Sequence, residues 1–245
     1  AFKTAEEEAP ASAREKIASV RAQKLGWKRK DTLLAGGLTL VYAVIALVNL
    51  GTTAVPQTYW RAQQGGAAAE IRFDGVQDVA SMRYYGGIAD GSATVELVDD
   101  AGDGVASATL DQVESSMYTW VTLDISGEAS GAVIRADTPE IWLLETAFFD
   151  ANGDMLPVKG AASLPGESPF GPGSAPSHLT DEQDRIPKLP THMDEMYFDE
   201  IYHARTAYEH LNGMEFYETT HPPLGKLFIA AGVWMFGMNP FGWRI

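Results

Sequence analysis

Asp199 and Glu200 stand side by side at the head of a helix-like run, and His221-Pro222-Pro223-Leu224-Gly225-Lys226 follows about twenty residues later. An acid at a helix N-terminus is held as the anion by the helix dipole. Set against a hydroxyl, such a carboxylate can act as a general base, a weak one unless it is desolvated. Pro222 and Pro223 suit the first turn of a new helix, where their missing N–H groups cost nothing. Lys226 then falls one turn inside that helix, beside free amides, a place to hold a phosphate. Lysines at helix ends also snorkel to a membrane interface, the plainer reading of the same residue.

Residues 198–211 read as a helix closed by Asn212-Gly213 as a left-handed cap. On it Asp199, His203 and His210 share one broad face at spacings of four and seven, with Glu200 about 100° around. All five histidines (His178, His192, His203, His210, His221) fall in the C-terminal 68 residues. Glu200-x-x-His203 is one half-motif of a carboxylate di-iron bundle, which needs two such pairs and two further glutamates. The HExxH zinc pattern is absent. No metal is expected from these motifs, although a di-metal hydrolase is a minor alternative. In the plainest reading Asp199 and Glu200 cap a helix while His203 and His210 face water.

The groups must be positioned by what precedes them. Residues 1–30 carry eight Lys/Arg against four Glu, a net of +4, whereas residues 51–223 carry eight against 28 Asp/Glu, a net of −20. The total of −15 is far from the basic balance of a nucleic-acid binder. Between the two regions lies TLLAGGLTLVYAVIALVNL, nineteen residues without a charge. As a helix it measures about 29 Å, close to the roughly 30 Å hydrocarbon core. Lys24, Lys28, Arg29 and Lys30 crowd its N-terminal edge, so the positive-inside rule places residues 1–31 in the cytoplasm and the acidic region outside. A cleaved signal peptide has a shorter apolar core, and Thr52-Thr53-Ala54 is a poor cleavage site. A buried core helix would show a polar stripe. The chain begins at Ala1 and stops at Ile245 within an apolar run, which suggests a fragment of something longer. With no cysteine there is no disulfide or thiolate site.

The expected organisation is a basic tail at 1–31, a transmembrane helix at 32–51, a β-sandwich at 52–165, a linker at 166–190, an external loop bearing the acid pair at 191–223, and the start of a second span at 224–245. Over 52–164, short runs rich in Val, Ile, Tyr and Trp alternate with Gly/Asp turns every ten to fifteen residues, which argues a sandwich of six to eight strands of jelly-roll type. Ala93–Leu97 alternates apolar and polar. The turns at 99–104 and 150–154 fit no twelve-residue calcium loop, and solvated turn acids explain them. Trp60, Trp120, Trp142, Tyr84 and Tyr85 are candidates to stack on sugars if exposed, and core residues otherwise. Pro165 to Pro190 is Gly/Pro/Ser-rich and then charged, with nothing to build a core.

The pairing of Tyr197-Phe198-Asp199-Glu200 and His203 with His221-Pro222-Pro223-Leu224-Gly225-Lys226 resembles protein O-mannosyltransferases, in particular their bacterial, phospholipid-carrier-dependent relatives. The closing Phe236-Gly237-Met238-Asn239-Pro240-Phe241-Gly242-Trp243-Arg244 is also similar to those members. The resemblance covers roughly residues 194–245 and the order of elements. It implies an α-helical multi-pass plasma-membrane protein of the glycosyltransferase C superfamily that inverts the anomeric centre, with the β-sandwich as an extracytoplasmic insert that departs from the family pattern. It further implies Asp199 as the base, Glu200 as an organiser, and His203, His221 and Lys226 on the substrate side, the last two near the donor phosphate. The donor would be a polyprenyl-phosphate sugar, usually mannose, the acceptor a protein or glycan, and no metal cofactor is needed. The remaining spans are absent, so this stretch alone would be inactive. A membrane-anchored carbohydrate-binding or adhesion module is the competing reading.

Overall fold

Without charges to place in water, the apolar run after Lys30 closes its hydrogen bonds internally as a helix. The computed structural model describes residues 26–245, in two units that part between Val48 and Asn49. In the first, helix α1 runs Arg29–Leu47, and Asp31 accepts the Lys28 N–H at 2.8 Å to cap its start. It begins three residues before the expected position and stops at Leu47, short of residue 51, with Asn49 in a left-handed conformation. Its 19 residues carry no buried side chain. Among the described residues it is the one helix long and apolar enough to cross a membrane. The expected tail lies, up to residue 25, outside the described residues.

In the second unit nine strands form two antiparallel sheets: β1 (Trp60–Arg61), β2 (Ala68–Val79), β3 (Ser81–Gly86), β4 (Gly91–Val98), β5 (Gly104–Gln112), β6 (Trp120–Leu123), β7 (Gly127–Ala136), β8 (Trp142–Phe149) and β9 (Val158–Ser163). The sheet orders are β1-β8-β3-β6 and β5-β4-β7-β2-β9. From β1 to β8 each step changes sheet except the β4–β5 hairpin, which is jelly-roll wiring, with β9 added at the β2 edge. The expected six to eight strands thus become nine, because β1 is too short and β9 too small-residue to show in the pattern. Ala93, Val95 and Leu97 turn inward as their alternation predicts. They join Ile71, Ile134 and Phe148 in the core between the sheets, where Phe73 and Phe148 meet edge to face at 4.9 Å.

The two Asp/Gly turns share one device. Asp99 and Asp150 each accept two backbone N–H bonds at 2.9 Å, from residues two and four positions on, and Gly102 and Gly153 take the left-handed position between. These aspartates are turn formers. Trp60, Tyr84, Tyr85, Trp120 and Trp142 are all buried, so none offers a sugar platform.

Residues 166–190 are not the coreless linker expected. They strap the β1 edge: Phe170 N–H donates to Arg61 O at 2.7 Å, its ring lies 3.9 Å under the Arg61 guanidinium, and Leu179 is fully buried in the sandwich core. Composition hid this because the strap is held by backbone bonds and a few side chains rather than by an apolar run. Its far end is pinned through Glu145 on β8, whose carboxyl accepts the Glu182 N–H at 2.7 Å and the Gln183 amide at 2.5 Å. Burial pushes the Glu145 carboxyl up from 4.5 to about 8 against these bonds. A raised carboxyl favours the fold most below its unfolded pKa and loses that contribution as pH rises through the folded one. Between about pH 4.5 and 8, Glu145→Gln is therefore expected to flatten the fall in stability by up to about 1.4 kcal/mol per pH unit, read from denaturant midpoints of both proteins across that range.

β8 is buried at all eight positions. One face lines the sandwich core; on the other the strap covers Glu145, and Trp142 and Leu144 pack against three helices, α2 (Glu200–Asn212), α3 (Pro223–Phe236) and α4 (Pro240–Arg244). Tyr85, Tyr118, Trp142 and Leu144 of the sandwich side pack with Ala204, Val233 and Trp243 of the helices in a second core. The sandwich and the acid-bearing segment, expected as separate domains, are one folded unit. α3 has 14 residues, about 21 Å, too short to span a hydrocarbon core by itself, and it ends at Gly237 before α4 folds back on it. At the α3–α4 crossing a Cβ on Gly232 would lie 2.3 Å from the Gly242 carbonyl oxygen. Gly232→Ala must push backbone from backbone, an expected loss of about 1–3 kcal/mol measured by thermal unfolding.

Candidate active site: a groove at the head of α2

Asp199 is the N-cap of α2, and Gly213 closes that helix with φ 63° as the sequence suggests. The residue before the acid, Phe198, is bulky yet left-handed (φ 52°) and 75% exposed. Such a residue costs about 1–3 kcal/mol of local strain and persists only where its surroundings enforce it. Here the Tyr197 N–H is turned onto Glu200 Oε2 at 3.0 Å.

The two acids have opposite fates. Glu200 is fully occupied: Arg244 grips it as a fork, Nε to Oε1 and Nη2 to Oε2 both at 2.6 Å, and the Trp243 indole donates to Oε2 at 3.0 Å. Arg244 also donates to the carbonyls of Leu50, His192 and Glu195. One guanidinium thus ties the start of the unit, the approach to α2 and the last helix together. Asp199 is exposed, and among the described residues no donor reaches its carboxylate. Free lone pairs beside a fully held neighbour are what a proton acceptor needs.

The free acid borders a groove of about 280 Å³ lined by Tyr197, Phe198, Asp199, Glu200, His203, Ala204, Ile229 and Trp243. The lining is almost wholly apolar apart from the acids and His203. His203 lies four residues after Asp199, as the helical spacing predicts. His210 leaves the group and packs on the Phe216 ring at 4.1 Å.

His221 and Lys226 are near, with different freedom. The His221 ring stands edge-on to that of His203, centroids 5.0 Å apart and planes at 87°. Lys226 is only 3% exposed, its ammonium bound to the Glu218 carboxylate and, at 2.6 Å, to the Glu218 carbonyl. Its charge is taken up by Glu218. The Lys226 ammonium, followed by Thr220 and His221, holds the Glu218 carboxyl well below the usual carboxylate range. Ring nitrogens of His203 and His221 and a Glu218 oxygen lie within 4.8 Å of one another, a set able to ligate a metal by type. The ammonium already on Glu218 makes it a poor home for a second cation. In a further acidic group, Glu145 and Glu182 are spent on the backbone of the strap and of residues 57–58 and on Arg185, while Asp181 accepts from the Thr58 hydroxyl.

Arg244 and Glu218 escape the motif-based reading. A signal existed for the first: after Arg205 the chain has two Lys/Arg, Lys226 and Arg244, among otherwise apolar helices. A lone cation in such a segment needs an anion, and Glu200 is the one it finds.

Fold and site together define a jelly-roll sandwich with an acid-bearing helical groove built on the outer face of one sheet. A stretch of 61 residues is 41% identical to a polyprenol-phosphate-mannose–protein mannosyltransferase of Mycolicibacterium smegmatis strain ATCC 700084 / mc(2)155, and equally to that of strain MKD8. The similarity takes in 22% of this chain, which spans 12% of the length of these curated relatives. No protein-family model and no solved structure matches the chain.

Proposed function

We propose that this chain is part of a membrane glycosyltransferase that moves a sugar, mannose by the analogy of its relatives, from a polyprenyl-phosphate carrier to a Ser/Thr hydroxyl of a protein. The observation that carries the reading is the unbound Asp199 carboxylate at an apolar groove, next to a Glu200 that is fully held. The local likeness to a mannosyltransferase supports the same class. Asp199 takes the acceptor hydroxyl proton as the oxygen attacks the anomeric carbon from the face opposite the phosphate. The bond from that carbon to the phosphate oxygen breaks, and polyprenyl phosphate leaves with the electron pair. One displacement inverts the centre, and the phosphate is already a good leaving group, so the chemistry asks for a base and for stabilisation of the departing anion rather than for a metal cofactor.

In this reading α1 anchors the chain in the plasma membrane with its basic end in the cytoplasm, and the sandwich and groove face outside. The exposed apolar residues Leu224, Leu227, Phe228 and Met235 along α3 then meet lipid or further spans of the longer protein. Radiolabelled polyprenyl-phosphate mannose supplied to membranes holding the full-length protein is expected to label protein. Label appearing in lipid or glycan instead would keep the transferase and change the acceptor; no loss of label from the donor would sink the proposal.

A further inference from the structure

Glu218 receives the contacts that shape the turn before α3. The turn ends in two prolines, which have no N–H to hold it with backbone bonds. Its free donors go to one side chain instead: the Thr220 N–H at 2.5 Å and hydroxyl, and the His221 N–H at 3.2 Å, all to Glu218 Oε1, with His221 Nδ1 3.3 Å from the same oxygen. The other carboxylate oxygen binds Lys226. The side chains of Glu218 and Lys226 are 11% and 4% exposed, and among the described residues no other acid pairs with that ammonium. Glu218 therefore decides two things at once, where His221 stands and whether Lys226 carries a free charge.

We propose that Glu218 is a positioning residue of the groove. It holds the His221 imidazole against His203, which lines the groove beside Asp199, and by neutralising Lys226 it leaves the paired imidazoles, rather than the ammonium, to meet the donor's phosphate. An imidazole N–H is a directional donor for a phosphate oxygen. This refines the sequence-based expectation that His221 and Lys226 serve the phosphate together, and its donor half rests on the transferase reading above.

The test uses the full-length protein and the double variant Glu218→Gln/Lys226→Met. Removing both charges avoids stranding a buried ammonium, which the single Glu218 change would do. The unfolding temperature is expected to stay near that of the unmodified protein. The KM for polyprenyl-phosphate mannose should rise about tenfold or more while kcat changes far less, the signature of lost donor binding rather than lost chemistry. In diethyl pyrocarbonate footprinting His203 and His221 should both react faster in the variant. A double variant with unchanged KM and unchanged histidine reactivity would reduce Glu218 to a counter-ion for Lys226 and overturn the proposal. If the unmodified protein transfers nothing, the transferase reading fails and takes the donor half with it. The histidine footprint then decides alone whether Glu218 places His221.

Discussion

Arg244→Ala is expected to loosen the whole head of α2. The substitution leaves Glu200 with no counter-charge among the described residues and removes the donors of three carbonyls, on Leu50, His192 and Glu195. Breaking a fully buried pair costs about 3–5 kcal/mol; with Arg244 13% and Glu200 28% exposed, about 2–4 kcal/mol is the reasonable expectation. For a folded unit of this size that corresponds to a fall in Tm of roughly 5–12 °C, measurable by thermal unfolding of the detergent-solubilised protein. Arg244→Lys should recover only part, because an ammonium cannot make the planar two-point grip. A variant with unchanged Tm would show that the clamp does not hold the site.

The larger functional effect is expected from Asp199→Asn in the full-length protein. The amide matches the carboxylate in shape but cannot take a proton, so transfer should drop by about 10²–10⁴-fold, the range for a positioned general base. Stability should barely move, since no donor reaches this side chain and the substitution strands nothing. The contrast with Glu200→Gln is informative. That change spoils the Arg244 fork and should cost both stability and turnover. The two adjacent acids thus separate into a chemical and a structural role by whether Tm moves with rate.

Much of this arrangement was legible in the residues. The uncharged run before Gly51, the turn-punctuated strands, the helix ending at Asn212-Gly213 and the shared helix face of Asp199 and His203 all follow from period, turn chemistry and capping. What could not be read were contacts between segments distant in sequence. The outer face of β8 looks like more core sequence, and only the fold shows that helices pack on Trp142 and Leu144 while the strap covers Glu145. Glu200 and Arg244 are 44 residues apart, and nothing local links them. Leu179, in a stretch dominated by Gly, Pro and Ser, anchors a strap that composition assigns to a linker. The partner of Lys226 was hidden for a related reason: its position in a first helical turn says nothing of Glu218, and only the fold brings that carboxylate onto it.

The most direct test of Asp199 as the base is a side-by-side measurement of donor binding and sugar transfer by the full-length protein and its Asp199→Asn variant. The expected result is unchanged affinity for polyprenyl-phosphate mannose with transfer to protein reduced by at least about a hundredfold. Transfer by the variant at the unmodified rate would contradict it and leave Asp199 as a helix cap.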